Sequence, residues 1–170
     1  MLRRMFFTVL PLALLSAPAW AQTSAGLNEV ALSGSYTNSK FDQGGRDELT
    51  TIQAEFGHFF TKELELGALG GFSHTPDLNV FDVGGKGRFH FFTESRFVPY
   101  LGGQVTWSYI DPDQGDSANG LGFGPLGGIK IFVTENVSIF GEYQFRWFTG
   151  DLDDSLNDQQ VILIGISFFF

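Results

Sequence analysis

Apolar and polar residues alternate with a period of two along most of this chain. That is the spacing at which successive side chains of a β-strand point to opposite faces. This residue pattern breaks at two kinds of connection, short turns and polar loops that contain glycine. A short turn and a loop follow each other in regular order along the chain. The pattern predicts eight strands, at about 29–36, 50–60, 64–72, 79–92, 97–109, 121–133, 137–148 and 160–170.

The short connections share one form: an apolar residue, a threonine and a polar pair, at 60–63, 92–95 and 133–136. Short turns that alternate with longer polar loops predict consecutive antiparallel strands in an up-and-down order. Pro99 and Pro125 complicate this pattern, because proline cannot donate a hydrogen bond to a strand ladder. We expect strand 6 to pair fully only from about Leu126, or to carry a bulge at Pro125.

Residues 1–21 have the pattern of a cleaved signal peptide. Arg3 and Arg4 precede an apolar run at 5–15, and small residues flank Trp20 before the expected mature start at Gln22. We therefore expect one mature domain over 22–170. No later segment has the uninterrupted apolar length of a membrane helix.

Composition narrows the class of protein further. The chain has 20 Phe, 22 Gly and no Cys, which suits many twisted strands held without disulfides. Its net charge is −9, and removal of Arg3 and Arg4 makes it −11. An acidic chain of this kind is not expected to bind nucleic acid.

The composition of the two strand faces indicates which one faces outward. The polar face is rich in Gly, Ser, Thr and Gln, and its few charges nearly balance, as a narrow barrel interior requires. Those predicted interior charges are Glu55, Glu65, Asp82, Glu142, Lys86, Arg88, Lys130 and Arg146.

Aromatic residues on the apolar face form two bands, which is typical of the two interfaces of a membrane protein. The predicted band at the turns holds Phe60, Phe91, Phe97, Phe168 and Phe170, and the band at the loops holds Tyr36, Phe72, Phe81, Trp107, Tyr109 and Trp147. The soluble alternative is a ligand-binding periplasmic barrel with its apolar face inside.

The last strand carries an apolar face of Ile162, Ile164, Ile166, Phe168 and Phe170. This end resembles the C-terminal assembly signal of bacterial outer-membrane β-barrels. The whole predicted mature chain is similar to the small eight-stranded barrels: the transmembrane domain of outer membrane protein A, outer membrane protein X, and the opacity-type "porin family". The segment 98–103, VPYLGG, resembles a recurring strand of that family.

The resemblance implies an all-β, eight-stranded antiparallel transmembrane barrel with periplasmic turns and extracellular loops. It implies a monomer in the cell outer membrane, surrounded by lipid and lipopolysaccharide, that engages the barrel-assembly machinery through its last strand. A structural or surface-interacting role with an unidentified extracellular partner follows from it, and no enzymatic activity or cofactor is expected.

Three groups of residues are candidates for chemistry. The interior charges form either an ion-selective constriction or a salt-bridged plug, and the narrow interior of eight strands favours the plug. The acidic loops could hold Ca²⁺ or bridge lipopolysaccharide phosphates through divalent ions, but they match no EF-hand spacing. Their carboxylates are Asp111, Asp113, Asp116, Asp151, Asp153, Asp154 and Asp158.

The third group is the histidines. Lipid A deacylase barrels carry a serine two residues from the catalytic histidine, and none of His58, His74 and His90 has a serine two residues later. We expect His58 near the turns on the outer face and His90 inside, near Arg88. No zinc or phosphate motif is present. The alternatives to a structural or surface-interacting barrel that stay open are a narrow ion channel and the soluble ligand-binding barrel.

Overall fold

The structure is a computed structural model that describes residues 23–40, 46–75, 78–112, 117–150 and 158–170. The described residues form eight strands in one closed sheet, and every neighbouring pair is antiparallel. The strands are β1 (Asn28–Lys40), β2 (Arg46–Phe59), β3 (Leu64–Thr75), β4 (Leu78–His90), β5 (Phe97–Pro112), β6 (Ala118–Thr134), β7 (Val137–Gly150) and β8 (Asp158–Phe169). The predicted all-β, up-and-down barrel is confirmed.

Consecutive strands are neighbours, and β8 closes the barrel against β1. The connections 60–63, 91–96 and 135–136 lie at one end, here called the turn end. The opposite end, where residues 41–45, 76–77, 113–117 and 151–157 connect the strands, is called the loop end. In the described part of the chain there is no helix with the length and hydropathy of a membrane span.

The strands extend further toward the loop end than the sequence predicted. β3 continues through Ser73, His74 and Thr75, where a loop was expected, and β1 continues to Lys40. Backbone hydrogen bonding does not require apolar side chains, so polar residues extend a hairpin beyond the point where apolar alternation ends. The connection after β3 is consequently only residues 76–77.

The two faces differ as predicted, with the apolar face outside. Outward side chains such as Val83, Leu101 and Ile164 are 61–73% exposed, whereas inward Ser, Thr, Gln and charged residues are buried. A soluble barrel would place its apolar face around an inner cavity. The soluble ligand-binding alternative is therefore wrong.

Of the two outcomes expected at Pro125, the bulge does not occur, whereas pairing with β7 is interrupted at 124–125 and resumes at Leu126. Pro125 pairs with Gly103 of β5, and on the β7 side the register is the same before and after it, as Phe123↔Trp147 and Leu126↔Gln144 show. The missing N–H interrupts pairing with β7 without moving either strand. The register shift of this hairpin lies instead between Phe132 and Thr134, next to the turn.

Two glycines of the barrel wall give a matched test of strand packing. A Cβ added at Gly84, which is on the inward face of β4, would lie 2.1 Å from the Val105 carbonyl oxygen, whereas a Cβ at Gly141 meets nothing within 4 Å. We expect Gly84→Ala to lower the free energy of unfolding by about 1–3 kcal/mol because the backbone of β5 must move. Gly141→Ala should change it by less than about 0.5 kcal/mol. Urea unfolding in lipid vesicles measures both, and equal losses would contradict the close approach of β4 and β5.

Candidate functional site

The structure places the side chains of all eight predicted interior charges inside the barrel, each at most 8% exposed. A charge removed from water costs several kcal/mol unless it is paired and hydrogen-bonded. These residues come from β2, β3, β4, β6 and β7, and the period-two alternation of those strands points all of their side chains into the same interior. How they pair therefore decides whether the interior is stable and whether it is open.

Two cations of β4 occupy the centre of the barrel, two residues apart. Lys86 Nζ lies 2.7 Å from Glu142 Oε1 and 2.8 Å from Glu55 Oε1. Arg88 Nη2 lies 2.7 Å from Glu142 Oε2 and 2.5 Å from Glu55 Oε2. Both cations therefore bind the same two carboxylates, which come from β2 and β7, and the network links three strands across the interior.

Neutral groups complete the shell of the two carboxylates. Tyr100 donates its hydroxyl to Glu142 Oε2 over 3.1 Å, and Gln144 donates to Glu142 Oε1 over 2.7 Å. Gln53 donates to Glu55 Oε1 over 2.6 Å. Glu142 thus accepts hydrogen bonds from four side chains, the condition under which a buried carboxylate is tolerated.

A second group of charges lies toward the turn end and is joined to the first through Glu65. Glu65 is 3.3 Å from both Arg88 Nη1 and Lys130 Nζ, and His90 Nε2 lies 2.8 Å from Glu65 Oε2. Lys130 also binds Glu29. His90 is inside the barrel, and both His90 and Arg88 bind Glu65.

Glu29 was missing from the predicted interior charges. Its side chain is 1% exposed. It is the first residue of the predicted strand 29–36 and stands on the same face of β1 as Ala31 and Ser33, so the period-two alternation places it inside. With Glu29 included, the side chains that the structure describes give the interior five carboxylates and four cations from Lys and Arg.

A third group lies toward the loop end and is separate from the other two. Arg146 Nη1 is 3.0 Å from Asp82 Oδ2, and Ser108 donates to Asp82 Oδ1 over 2.5 Å. Arg146 also donates to Gln159. Each of the four interior Lys and Arg residues therefore has a carboxylate partner.

The turn end of the interior is filled by apolar side chains that sequence reasoning did not assign. Phe59, Val98, Phe132 and Phe169 are 0–3% exposed and form one cluster, against which Leu27 packs. They share the strand face of the polar interior residues. Their positions in the alternation place them on the inward face, but sequence analysis assigned only polar and charged residues to the interior.

The predicted aromatic bands lie on the outside at the two ends of the barrel. Phe97 and Trp107 are 51% and 48% exposed. They are ten residues apart on β5, which for a strand tilted by about 40° corresponds to roughly 25 Å along the barrel axis. The other outward members are Phe60, Phe91, Phe168 and Phe170 at the turn end, and Phe72, Phe81, Tyr109 and Trp147 at the loop end.

Other predictions fall partly beyond the described structure. The side chain of Tyr36, the carboxylates Asp113, Asp116, Asp151, Asp153 and Asp154, and residues 1–21 lie outside what is described. Asp111 and Asp158 are exposed strand residues at the loop end. Among the described residues, no three His, Asp or Glu side chains are arranged to hold a metal ion.

The outward face of β8 carries the residues of the predicted assembly signal. Ile162, Ile164, Ile166, Phe168 and Phe170 are all exposed on the barrel surface. The strand pairs with β1 on one side and with β7 on the other. The last strand therefore makes the closing contact of the barrel.

Comparison with known proteins connects this architecture to a family. A sequence profile described as "Outer membrane protein beta-barrel domain" matches residues 7–170. No curated protein sequence matches the chain. The fold is similar to that of Neisserial surface protein A, which is 18% identical over 86% of this chain and 98% of that chain, with a TM-score of 0.69.

Two further solved structures share the fold. The N-terminal β-barrel domain of Pseudomonas aeruginosa OprF is 17% identical over 88% of this chain and all of that chain (100%), with a TM-score of 0.62. Yersinia pestis Ail in a phospholipid bilayer nanodisc is 15% identical over 85% of this chain and 99% of that chain, with a TM-score of 0.54. Matched over nearly its whole length by the family profile, the chain belongs to the outer membrane protein β-barrel family and is a protein of the cell outer membrane.

Proposed function

We propose that this protein is a non-enzymatic, closed barrel that anchors its acidic loops at the outer surface and contributes to the integrity of the envelope. The observation that carries the proposal is the pairing of the interior. Lys86, Arg88, Lys130 and Arg146 each bind at least one carboxylate within the barrel. An eight-stranded barrel has an interior only just wide enough for its own side chains, so these pairs act as a plug.

The apolar cluster at the turn end supports the same role. Phe59, Val98, Phe132 and Phe169 form one buried cluster next to Lys130, on the turn-end side of the charges. A hydrated ion would have to displace both the aromatic rings and the paired charges. The network in turn stabilises the barrel because it links β2, β4 and β7, which are not neighbours in the sheet.

The orientation and assembly of the barrel are part of the proposal. The signal peptide 1–21 is removed on export, the turn end lies in the periplasm, and the loop end faces outward. The apolar face of β8, ending at Phe170, is recognised by the barrel-assembly machinery. The mature protein acts as a monomer among lipid and lipopolysaccharide, and its acidic loops contact a partner or the surroundings.

A narrow ion channel is the second candidate. The observation in its favour is that Lys86 and Arg88 each reach both Glu55 and Glu142. Exchange of partners within this set requires only small side-chain rotations, and such an exchange could open a path. The cluster at the turn end must also move for ions to pass.

Conductance in a planar lipid bilayer tests both candidates. We expect the refolded protein to insert, as judged by a heat-dependent shift in gel mobility, and to show no discrete current steps, because its interior is filled. Steps that change in size with Arg88→Gln or Glu142→Gln, but not with the surface control Lys62→Gln, would contradict the proposal. That result would establish the channel, with the central charges as its filter.

A further inference from the structure

The residues just before β1 form a short strap at the turn end of the barrel. The strap is Thr23–Leu27. Thr23 donates its hydroxyl to the Lys62 carbonyl over 2.7 Å, and its side chain is buried. Leu27 N–H bonds to the Ser24 carbonyl over 3.3 Å, and Gly26 has φ +89°, as in a turn that needs glycine at its third position.

Backbone hydrogen bonds fix the strap to the end of β2. Gly26 N–H donates to the Phe59 carbonyl over 2.7 Å, and Phe59 N–H donates to the Leu27 carbonyl over 2.8 Å. The turn at 24–27 reverses the chain between these bonds and the Thr23 contact. The strap is thereby held at both of its ends, against the 60–63 turn by Thr23 and against the end of β2 by Gly26 and Leu27.

Leu27 is the apolar residue that the strap places against the barrel interior. It packs on the cluster of Phe59, Val98, Phe132 and Phe169. These four are inward residues close to the turn-end termini of their strands, a position where an uncovered barrel would expose them to water. Their exposures of 0–3% show that they are covered.

The first charges of the network lie directly above this cluster. Lys130 Nζ is 5.6 Å from the centre of the Phe59 ring and 5.4 Å from that of Phe169. Its partner Glu29 is two residues from Leu27 in the chain and is 1% exposed. Opening the cluster would therefore bring water to the Lys130–Glu29 pair.

We infer that the strap Thr23–Leu27 is a lid that closes the interior at the turn end and separates the charge network from periplasmic water. This deepens the proposed function and rests on its premise of a closed barrel. The lid acts through Leu27, and the Thr23 and Gly26 hydrogen bonds hold it in place. Without it, the turn end opens even though the eight strands remain paired.

Cysteine accessibility tests the lid, since the chain contains no cysteine. Ser138→Cys places a thiol on the inward face of β7 at the turn end, where the serine is 0% exposed and its hydroxyl has no hydrogen-bond partner among the described residues. Its reaction with a charged, membrane-impermeant maleimide is measured in the folded protein with the strap unchanged, with Leu27→Asp, and with Ala25→Asp. The last variant is the matched control, because Ala25 is an exposed strap residue.

We expect Leu27→Asp to accelerate labelling by about thirtyfold, equivalent to about 2 kcal/mol at 1.4 kcal/mol per decade. Ala25→Asp should leave the rate unchanged. Equal rates in all three proteins would overturn the lid. The lid would also be overturned if Leu27→Asp accelerated the labelling of a Ser33→Cys thiol, in the middle of β1, as much as the labelling of Ser138→Cys. That result would mean that the whole barrel had loosened.

Leu27→Ala is the second variant if Leu27→Asp does not fold, and it should give a smaller acceleration in the same direction. Circular dichroism and heat-dependent gel mobility establish that each protein is folded. Current steps from the unaltered protein would refute the proposed function, whereas unchanged labelling with Leu27→Asp would refute the lid alone. The two failures are therefore distinguishable.

Discussion

Replacement of Arg88 by methionine is expected to lower the free energy of unfolding by about 3–5 kcal/mol, the cost of breaking a buried ion pair by removing one partner. Arg88 binds three carboxylates, at 2.7 Å for Glu142, 2.5 Å for Glu55 and 3.3 Å for Glu65. Its removal leaves the five described interior carboxylates with three Lys or Arg partners. Urea unfolding in lipid vesicles, followed by the fluorescence of Trp107 and Trp147, measures the loss.

The matched control for Arg88 is Lys62→Met at the turn surface. Lys62 lies 3.7 Å from Glu63 and 3.5 Å from Glu94, but its side chain is 52% exposed. An exposed pair contributes about 0–1 kcal/mol, so this variant should be nearly as stable as the unaltered protein. A loss for Arg88→Met no larger than the loss for Lys62→Met would show that the central network does not hold the strands together.

A double substitution separates loss of the pair from loss of the arginine itself. Glu142→Gln added to Arg88→Met removes one of the carboxylates that has lost a partner. We expect the double variant to lose less stability than the sum of the two single variants, because directly bonded groups are not additive. Additive losses would mean that Arg88 and Glu142 stabilise the barrel independently.

The second large effect is expected for Phe132→Ala in the cluster at the turn end. Phe132 is 1% exposed, and its ring centre lies 5.1 Å from that of Phe169. Truncation of a buried phenylalanine leaves a cavity and typically costs about 3–5 kcal/mol. The free energy of unfolding, measured as for Arg88→Met, should fall by that amount.

Its control is the next residue on the same strand. Val133 points outward and is 49% exposed, so Val133→Ala should cost about 1 kcal/mol or less. The two substitutions differ in the face of the barrel they alter, while the position along β6 is nearly the same. Similar losses would indicate that the cluster is loosely packed and does not seal the turn end.

The success of sequence reasoning here follows from the geometry of a strand. Side chains alternate strictly between the two faces, so a single correct residue assigns the rest of its strand. The same rule predicts Lys86 and Arg88 inside and Leu101 and Ile164 outside, and the structure has them there. At Pro125 it allowed either a bulge or full pairing only from about Leu126; there is no bulge, and the ladder with β7 resumes at Leu126. Glu29 and Phe132 were not assigned to the interior, although their positions in the alternation place them there.

The sequence by itself determined the number of strands, their order, the two faces of each strand and most of the charges that share the interior, since all of these depend on local alternation and connection length. Only the tertiary structure decided which charges meet. Glu55 and Lys86 are 31 residues apart, and Lys86 and Glu142 are 56 apart. Their contact arises because closure of the barrel brings β2, β4 and β7 around one narrow interior. The register of every strand pair sets the height of each side chain there, and a pattern read along one strand at a time does not contain that information.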